Sequence, residues 1–172
     1  MAKIAFILDQ MYEDSEFRVP YDRVTEAGHE PVVIGLESGK KLEGKSSGDT
    51  VTTDKAIGDV SASEYAALVI PGGYSPDKIR TNHDMVQLTK DIHAAGKPVA
   101  AICHAGWMLA EAGIVKNKTV TSWPSIKTDL INAGARWVDQ EVVEDGNLIT
   151  SRMPDDLEAF TKALLSQIEQ TT

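Results

Sequence analysis

The chain carries one cysteine, Cys103, and it is followed directly by His104. The pair ends the apolar run Val99-Ala100-Ala101-Ile102 and precedes Ala105-Gly106. A strand that stops, a nucleophilic side chain in a tight turn and a helix that begins at once form the layout of a nucleophile elbow. Such a turn needs small neighbours, and Ala101, Ala105 and Gly106 supply them. A thiol at a helix start feels the positive end of the dipole and free backbone N–H groups, and both favour the nucleophilic thiolate. Taken by itself, a lone cysteine reads first as a small buried hydrophobe. Two other segments bear on the choice. Pro71-Gly72-Gly73 offers backbone N–H groups unshielded by side chains, as an oxyanion hole requires, and is otherwise a turn after a strand. Glu13-Asp14-Ser15-Glu16 places carboxylates just past the first apolar run and is otherwise an acidic first helical turn.

The elements that must position these groups follow from hydrophobic periodicity. Lys3–Leu8, Glu30–Leu36, Tyr65–Ile70 and Pro98–Ile102 read as strands, the first of them a run without polar alternation, as in strands covered on both faces. Ser15–Ala27 puts Phe17, Tyr21, Val24 and Ala27 on one helical stripe, with Gly28 as its stop and Pro20 expected to kink or delimit it. Asn82 is a cap for a helix carrying Met85, Leu88, Ile92 and Ala95. Ala105–Ala112, Pro124–Ala133 and the segment from Pro154 read as further helices, and Thr119–Thr121 as a brief strand. Gln140–Val143 and Leu148–Thr150 flank Asp145-Gly146, a hairpin signal. Residues 37–63, rich in Gly, Ser, Lys and Asp, read as surface loop or a small hairpin around Thr50–Thr53. The alternation predicts an α/β three-layer sandwich, mostly parallel, with helices on both faces and one domain over residues 1–172. In such sheets the site forms at the carboxyl edge, where the loops after Leu8, Ile70 and Ile102 are expected to converge.

Composition narrows the function classes. The formal charge of −9 disfavours general binding to phosphate backbones. No apolar run approaches the ~18–20 residues of a membrane-spanning helix. The run Ile4–Leu8 meets Asp9 too soon for an export signal, which needs ~7–15 apolar residues. One cysteine cannot form an internal disulfide, and a reducing, cytoplasmic location is expected. His29, His83 and His93 lack metal-ligand spacing, and no nucleotide fingerprint is present, so neither metal nor cofactor is expected.

Taken together, the segments resemble the PfpI-type intracellular protease branch of the superfamily that includes the Parkinson's-disease-linked deglycase. The likeness runs through Tyr12-Glu13-Asp14-Ser15-Glu16, Leu68–Gly73, Pro98–His104, Ile131–Ala135, Val142–Asn147 and Thr150–Leu157. It implies a flavodoxin-like fold with Cys103 as nucleophile and Glu16 sharing a proton with its sulfur. His104 would be base or orienter, pointing away from the thiol of its own turn. Asp77 occupies the position from which a neighbouring subunit's acid completes the triad, which implies a homo-oligomer. Gly72 and Gly73 would form the oxyanion hole, with the His104 N–H contributing. The chain departs from the family pattern in Ala105-Gly106-Trp107, where Gly-Pro-Gln is common, in Asp77 for Glu, and in Trp123 for Tyr. Trp107 and Trp123 are candidates for the pocket wall, with Trp107 equally a core residue.

The resemblance implies a stress-protective cysteine hydrolase acting on aldehydes, dicarbonyls or glycated or damaged protein. Peptide hydrolysis uses the same groups. A redox-sensing or chaperone-like protein that relies on oxidation of Cys103 is the reading from another class.

Overall fold

A computed structural model of the chain describes residues 1–171. In chain order the elements are β1 (Lys3–Ile7), α1 (Asp14–Glu26), β2 (Glu30–Gly35), β3 (Lys41–Glu43), β4 (Thr50–Thr52) and β5 (Lys55–Ala56). There follow β6 (Ala67–Ile70), α2 (Ser75–Ile79), α3 (His83–Ala94), β7 (Val99–Ile102), α4 (Gly106–Glu111), β8 (Thr119–Val120) and α5 (Lys127–Asn132). The chain then runs through β9 (Arg136–Trp137), β10 (Val143–Asp145), β11 (Leu148–Ser151) and α6 (Leu157–Thr171).

Seven strands form one sheet in the order β10-β11-β7-β6-β1-β2-β5. Every neighbouring pair is parallel except β10–β11. Successive side chains of a strand point to opposite faces, and the core divides accordingly. Ile4, Phe6, Val33, Val69, Ala100 and Ile149 face one way, against Phe17 and Val24 of α1 and Phe160, Leu164 and Ile168 of α6. Ala5, Ile7, Val32, Leu68, Ile70, Val99 and Ala101 face the other, against Ile79, Met85, Leu88, Ile92, Leu109 and Leu130 of α2 to α5. The result is the three-layer α/β sandwich with helices on both faces.

The register places β1 between β6 and β2, and β7 beside β6. The carboxyl ends of β1, β6 and β7 are therefore adjacent, and the loops that follow them meet at one edge.

Several local expectations change. Pro20 lies inside α1 without ending it; the ring removes only the N–H that would bond back to the Glu16 carbonyl. Asp145 pairs with Leu148, so the hairpin turn is Gly146-Asn147, with Gly146 at φ +59°. The segment after Pro124 opens with a 3-10 turn, Pro124–Ile126, before α5. The excursion after β2 contributes a hairpin, β3–β4, and then β5, which pairs with β2 at the sheet edge. No helix among the described residues is long and apolar enough to cross a membrane.

Candidate active site

Cys103 is the first residue after β7 and has φ +63°. Left-handed backbone at a residue with a side chain is uncommon and is retained where surroundings enforce it. Here the enforcement is visible. The Cys103 carbonyl accepts the Trp123 N–H (3.3 Å), and the chain enters a 3-10 turn, Cys103–Ala105, before α4. The sharp turn lifts the thiol out of the sheet toward the loops after β1 and β6, leaving the residue 8% exposed.

The loop after β1 enters α1 through Glu13, whose side chain caps the Asp14 N–H. Glu16, one turn in, is 0% exposed. Its Oε1 accepts the Gly72 N–H at 2.9 Å, its carboxyl interacts with the Cys103 thiol, and Oε2 has no conventional hydrogen-bond partner. Burial pushes Glu16 up to about 8, against the opposing pull of the Gly72 N–H. Burial likewise pushes Cys103 up to about 12, helped by the negative charge of an ionised Glu16 and opposed by the N–H groups of His104 and Gly73. The thiol is therefore not lowered by a helix start. Helix α4 has only six residues, and burial outweighs the backbone N–H groups that face the sulfur. Carboxyl and thiol titrate as one pair. The carboxyl gives up its proton first, and its push on the sulfur vanishes whenever it is protonated.

Of the two glycines, Gly73 and not Gly72 is open to a developing oxyanion. The Gly72 N–H is consumed by Glu16, whereas those of Gly73 and His104 point at the sulfur. Gly73 has φ +81°, and a Cβ there would meet the backbone of Met11 to Glu13, against which it forms a bridge to Tyr12.

His104 does not point away from its neighbour. Its Nδ1 is 3.3 Å from Cys103 Sγ, because the left-handed turn folds the imidazole back beside the thiol. Its Nε2 lies 3.2 Å from Ser125 Oγ. Trp123 stacks on the ring at 6.1 Å and Trp107 packs at a tilt at 5.1 Å. Burial, together with the Lys45 charge, holds His104 below the usual imidazole range, which favours the neutral form at neutral pH.

A pocket of about 220 Å³ opens over the sulfur, lined by Glu13, Glu16, Lys45, Gly73, Tyr74, Cys103, His104, Trp123 and Pro154. Trp123 belongs to its wall. Trp107 does not: its indole N–H donates to Asp129 Oδ2 (2.9 Å), Arg80 covers its ring, and its body packs on the α2–α5 core. Asp77 stands exposed on α2 and makes no hydrogen bond or ion pair among the described residues, so within the chain it does not reach His104.

Lys45 and Ser125 belong to the site and were not legible in the sequence. Lys45 comes from the loop that follows β3. Asp14 fastens that loop by accepting from the N–H groups of Ser46 (2.8 Å), Ser47 (3.1 Å) and Asp49 (2.9 Å) and from the Ser47 hydroxyl (3.0 Å). Burial alone would raise the Asp14 carboxyl, but these donors hold it down at about 2. The Lys45 ammonium is thereby set 3.6 Å from Glu13 and over the Tyr74 ring. The only hint in the sequence was a Gly/Ser-rich segment of the right length.

Chemically, the site can transfer a proton between thiol, imidazole and carboxyl. It can also offer two backbone N–H groups to an oxygen that becomes negative beside the sulfur.

Comparison with known proteins places this arrangement. "Protein/nucleic acid deglycase 2" of Escherichia coli (strain K12) is 44% identical over 164 residues, covering 95% of each chain. "General stress protein 18" of Bacillus subtilis (strain 168) is 44% identical over 169 residues, covering 98% of each. Among solved structures, a two-domain protein of Anabaena variabilis with DJ-1/ThiJ/PfpI-like and ferritin-like domains superposes with a TM-score of 0.96 at 40% identity. That match covers 98% of this chain and 48% of the other, so the chain spans about half of that protein. The DJ-1/PfpI family profile matches residues 2–167, from the first strand into the last helix, and the chain belongs to that family.

Proposed function

We propose that the chain is a cysteine-dependent hydrolase that consumes reactive dicarbonyls or the adducts they leave on proteins. The observation that carries the reading is the sulfur of Cys103 itself. It is presented on left-handed backbone at the floor of a pocket, with Glu16, His104 and two N–H groups around it. The relatives named deglycase and general stress protein support the same direction.

On a 2-oxoaldehyde, the thiol proton passes to His104 Nδ1 and the sulfur bonds to the aldehyde carbon. The oxygen, now negative, is met by the N–H groups of Gly73 and His104. Glu16, protonated over much of the neutral range, returns or accepts a proton as the adduct rearranges. Water then releases the acyl group, so that a 2-oxoaldehyde and one water give a 2-hydroxy acid with no external oxidant. The pocket volume suits small substrates or a side-chain adduct rather than an extended peptide. The reading includes a cytoplasmic homo-oligomer. Tyr74 (60% exposed) and Met11 (44%) form an apolar rim beside the pocket, and exposed Asp77 follows on α2, where a second copy would meet them.

Purified protein is expected to consume methylglyoxal or glyoxal. Cys103→Ser abolishes the activity and Glu16→Gln lowers it by about tenfold or more. Undiminished consumption by Cys103→Ser would overturn the reading. Peroxide-oxidised Cys103 without any consumption would favour the redox-sensing alternative.

A further inference from the structure

The imidazole of His104 is held inside one chain at both of its nitrogens. Nδ1 lies against Cys103 Sγ and Nε2 against Ser125 Oγ, at 3.3 and 3.2 Å. A neutral imidazole carries one N–H. If Nδ1 is to take the thiol proton, that hydrogen must reside on Nε2, and the group facing Nε2 must accept it. The group there is the Ser125 hydroxyl. The segment that carries it is tied to the elbow, since Trp123 N–H donates to the Cys103 carbonyl and Ile126 N–H to the Trp123 carbonyl. Buried Ile126 roots the turn in the core. Trp123 on one side and Trp107 on the other limit rotation of the ring.

We propose that Ser125 is the positioning residue of His104: by accepting Nε2–H it fixes the tautomer whose Nδ1 lone pair faces the Cys103 thiol, a relay complete within one chain. The inference rests on the reading of Cys103 as nucleophile and His104 as its base. In the step concerned the Sγ–H bond breaks and the proton goes to Nδ1. The electron pair on sulfur forms the bond to carbon, and Nε2–H stays on the ring. A hydroxyl carries no charge, so the imidazolium gains orientation from it but less electrostatic support than a carboxylate would give. The charged groups around the ring are Glu13, Glu16 and Lys45 across the pocket, with Arg80 and Asp129 behind Trp107. None of them changes in the Ser125 variants.

The test compares Ser125→Ala, Ser125→Thr and Ser125→Asp in the full chain. It reads methylglyoxal turnover and the alkylation of Cys103 by iodoacetamide as a function of pH. Ser125→Ala is expected to lower kcat and the alkylation rate about 3- to 10-fold, the size of one lost hydrogen bond, with KM changed by less than about twofold. Ser125→Thr restores most of the rate. Ser125→Asp stabilises the imidazolium and moves the acid limb of the alkylation profile to higher pH. Native rates and profiles in both the Ala and Asp variants overturn the inference. So does a loss seen in Asp77→Asn but not in Ser125→Ala, which would give Nε2 to an acid from a second copy. If Cys103→Ser abolishes turnover while Ser125→Ala does not alter it, the inference alone fails; if Cys103→Ser is fully active, the underlying reading fails with it.

Discussion

At Gly72 the site leaves no room for a side chain. A Cβ there would stand 2.8 Å from the Cβ of Cys103 and 2.9 Å from the Ile102 carbonyl oxygen, and would collide with Glu16 Oε1. Gly72→Ala is therefore expected to move the Glu16 carboxyl off the thiol. Cys103 alkylation above pH 8, where the ionised carboxyl opposes the thiolate, should rise severalfold while far-ultraviolet circular dichroism stays native. An unchanged alkylation rate would show that the carboxyl is not coupled to the sulfur. The sequence announced this glycine pair but not the division of labour within it. Two adjacent N–H groups look identical in a string of letters, and only the third dimension shows that one of them is consumed by Glu16. The same limit hid Ser125, an unremarkable serine until the turn at Trp123 brings it to the imidazole. It also left Trp107 open between pocket wall and core, since helical spacing allows either side of the elbow.

At the scale of elements, the long, fully buried strands and the amphipathic helices were legible because burial on both faces forces continuous apolar runs and burial on one face forces helical spacing. Of the short pieces, Thr119–Val120 and the hairpin strand Thr50–Thr52 were legible, but others were not. Helix α2, strand β5 and strand β9 span five, two and two residues, too few for any period to register. The loop after β3 is the costliest omission, since it delivers Lys45 to the pocket. Its anchor is Asp14, a buried carboxylate that holds three backbone N–H groups and a hydroxyl. Removing it orphans those donors. Asp14→Ala is expected to lower stability by about 2 kcal/mol, or roughly 4–8 °C in Tm for a domain of this size. Amide exchange should quicken across residues 44–49 and remain native in β6 and β7. Protection of 44–49 equal to the native protein would contradict the anchoring role.

For the whole molecule, the buried Glu16 links folding to pH. Its pKa is raised from 4.5 in the open chain to about 8 in the fold. Between those values the folded state keeps a proton that the unfolded state has released, so stability falls as pH rises through that window. The amide of Glu16→Gln accepts the Gly72 N–H without titrating. Relative to the native protein, this variant should gain at least about 3 °C in Tm between pH 5 and pH 8.5; parallel curves would mean that Glu16 is ionised throughout. The fold thus accepts a buried acid that weakens it progressively as pH rises from 4.5 to about 8, and in return sets a carboxyl against one sulfur. The most direct measurement of that claim is the pH profile of Cys103 alkylation in the native protein and in Glu16→Gln. The expected native profile levels off near 8, where the carboxyl–thiol pair loses its first proton and the new negative charge opposes the thiolate, whereas the variant, which lacks that charge, shows no break there and labels faster above it. A sulfur that resists labelling in the folded protein, or two superimposable profiles, would contradict the account.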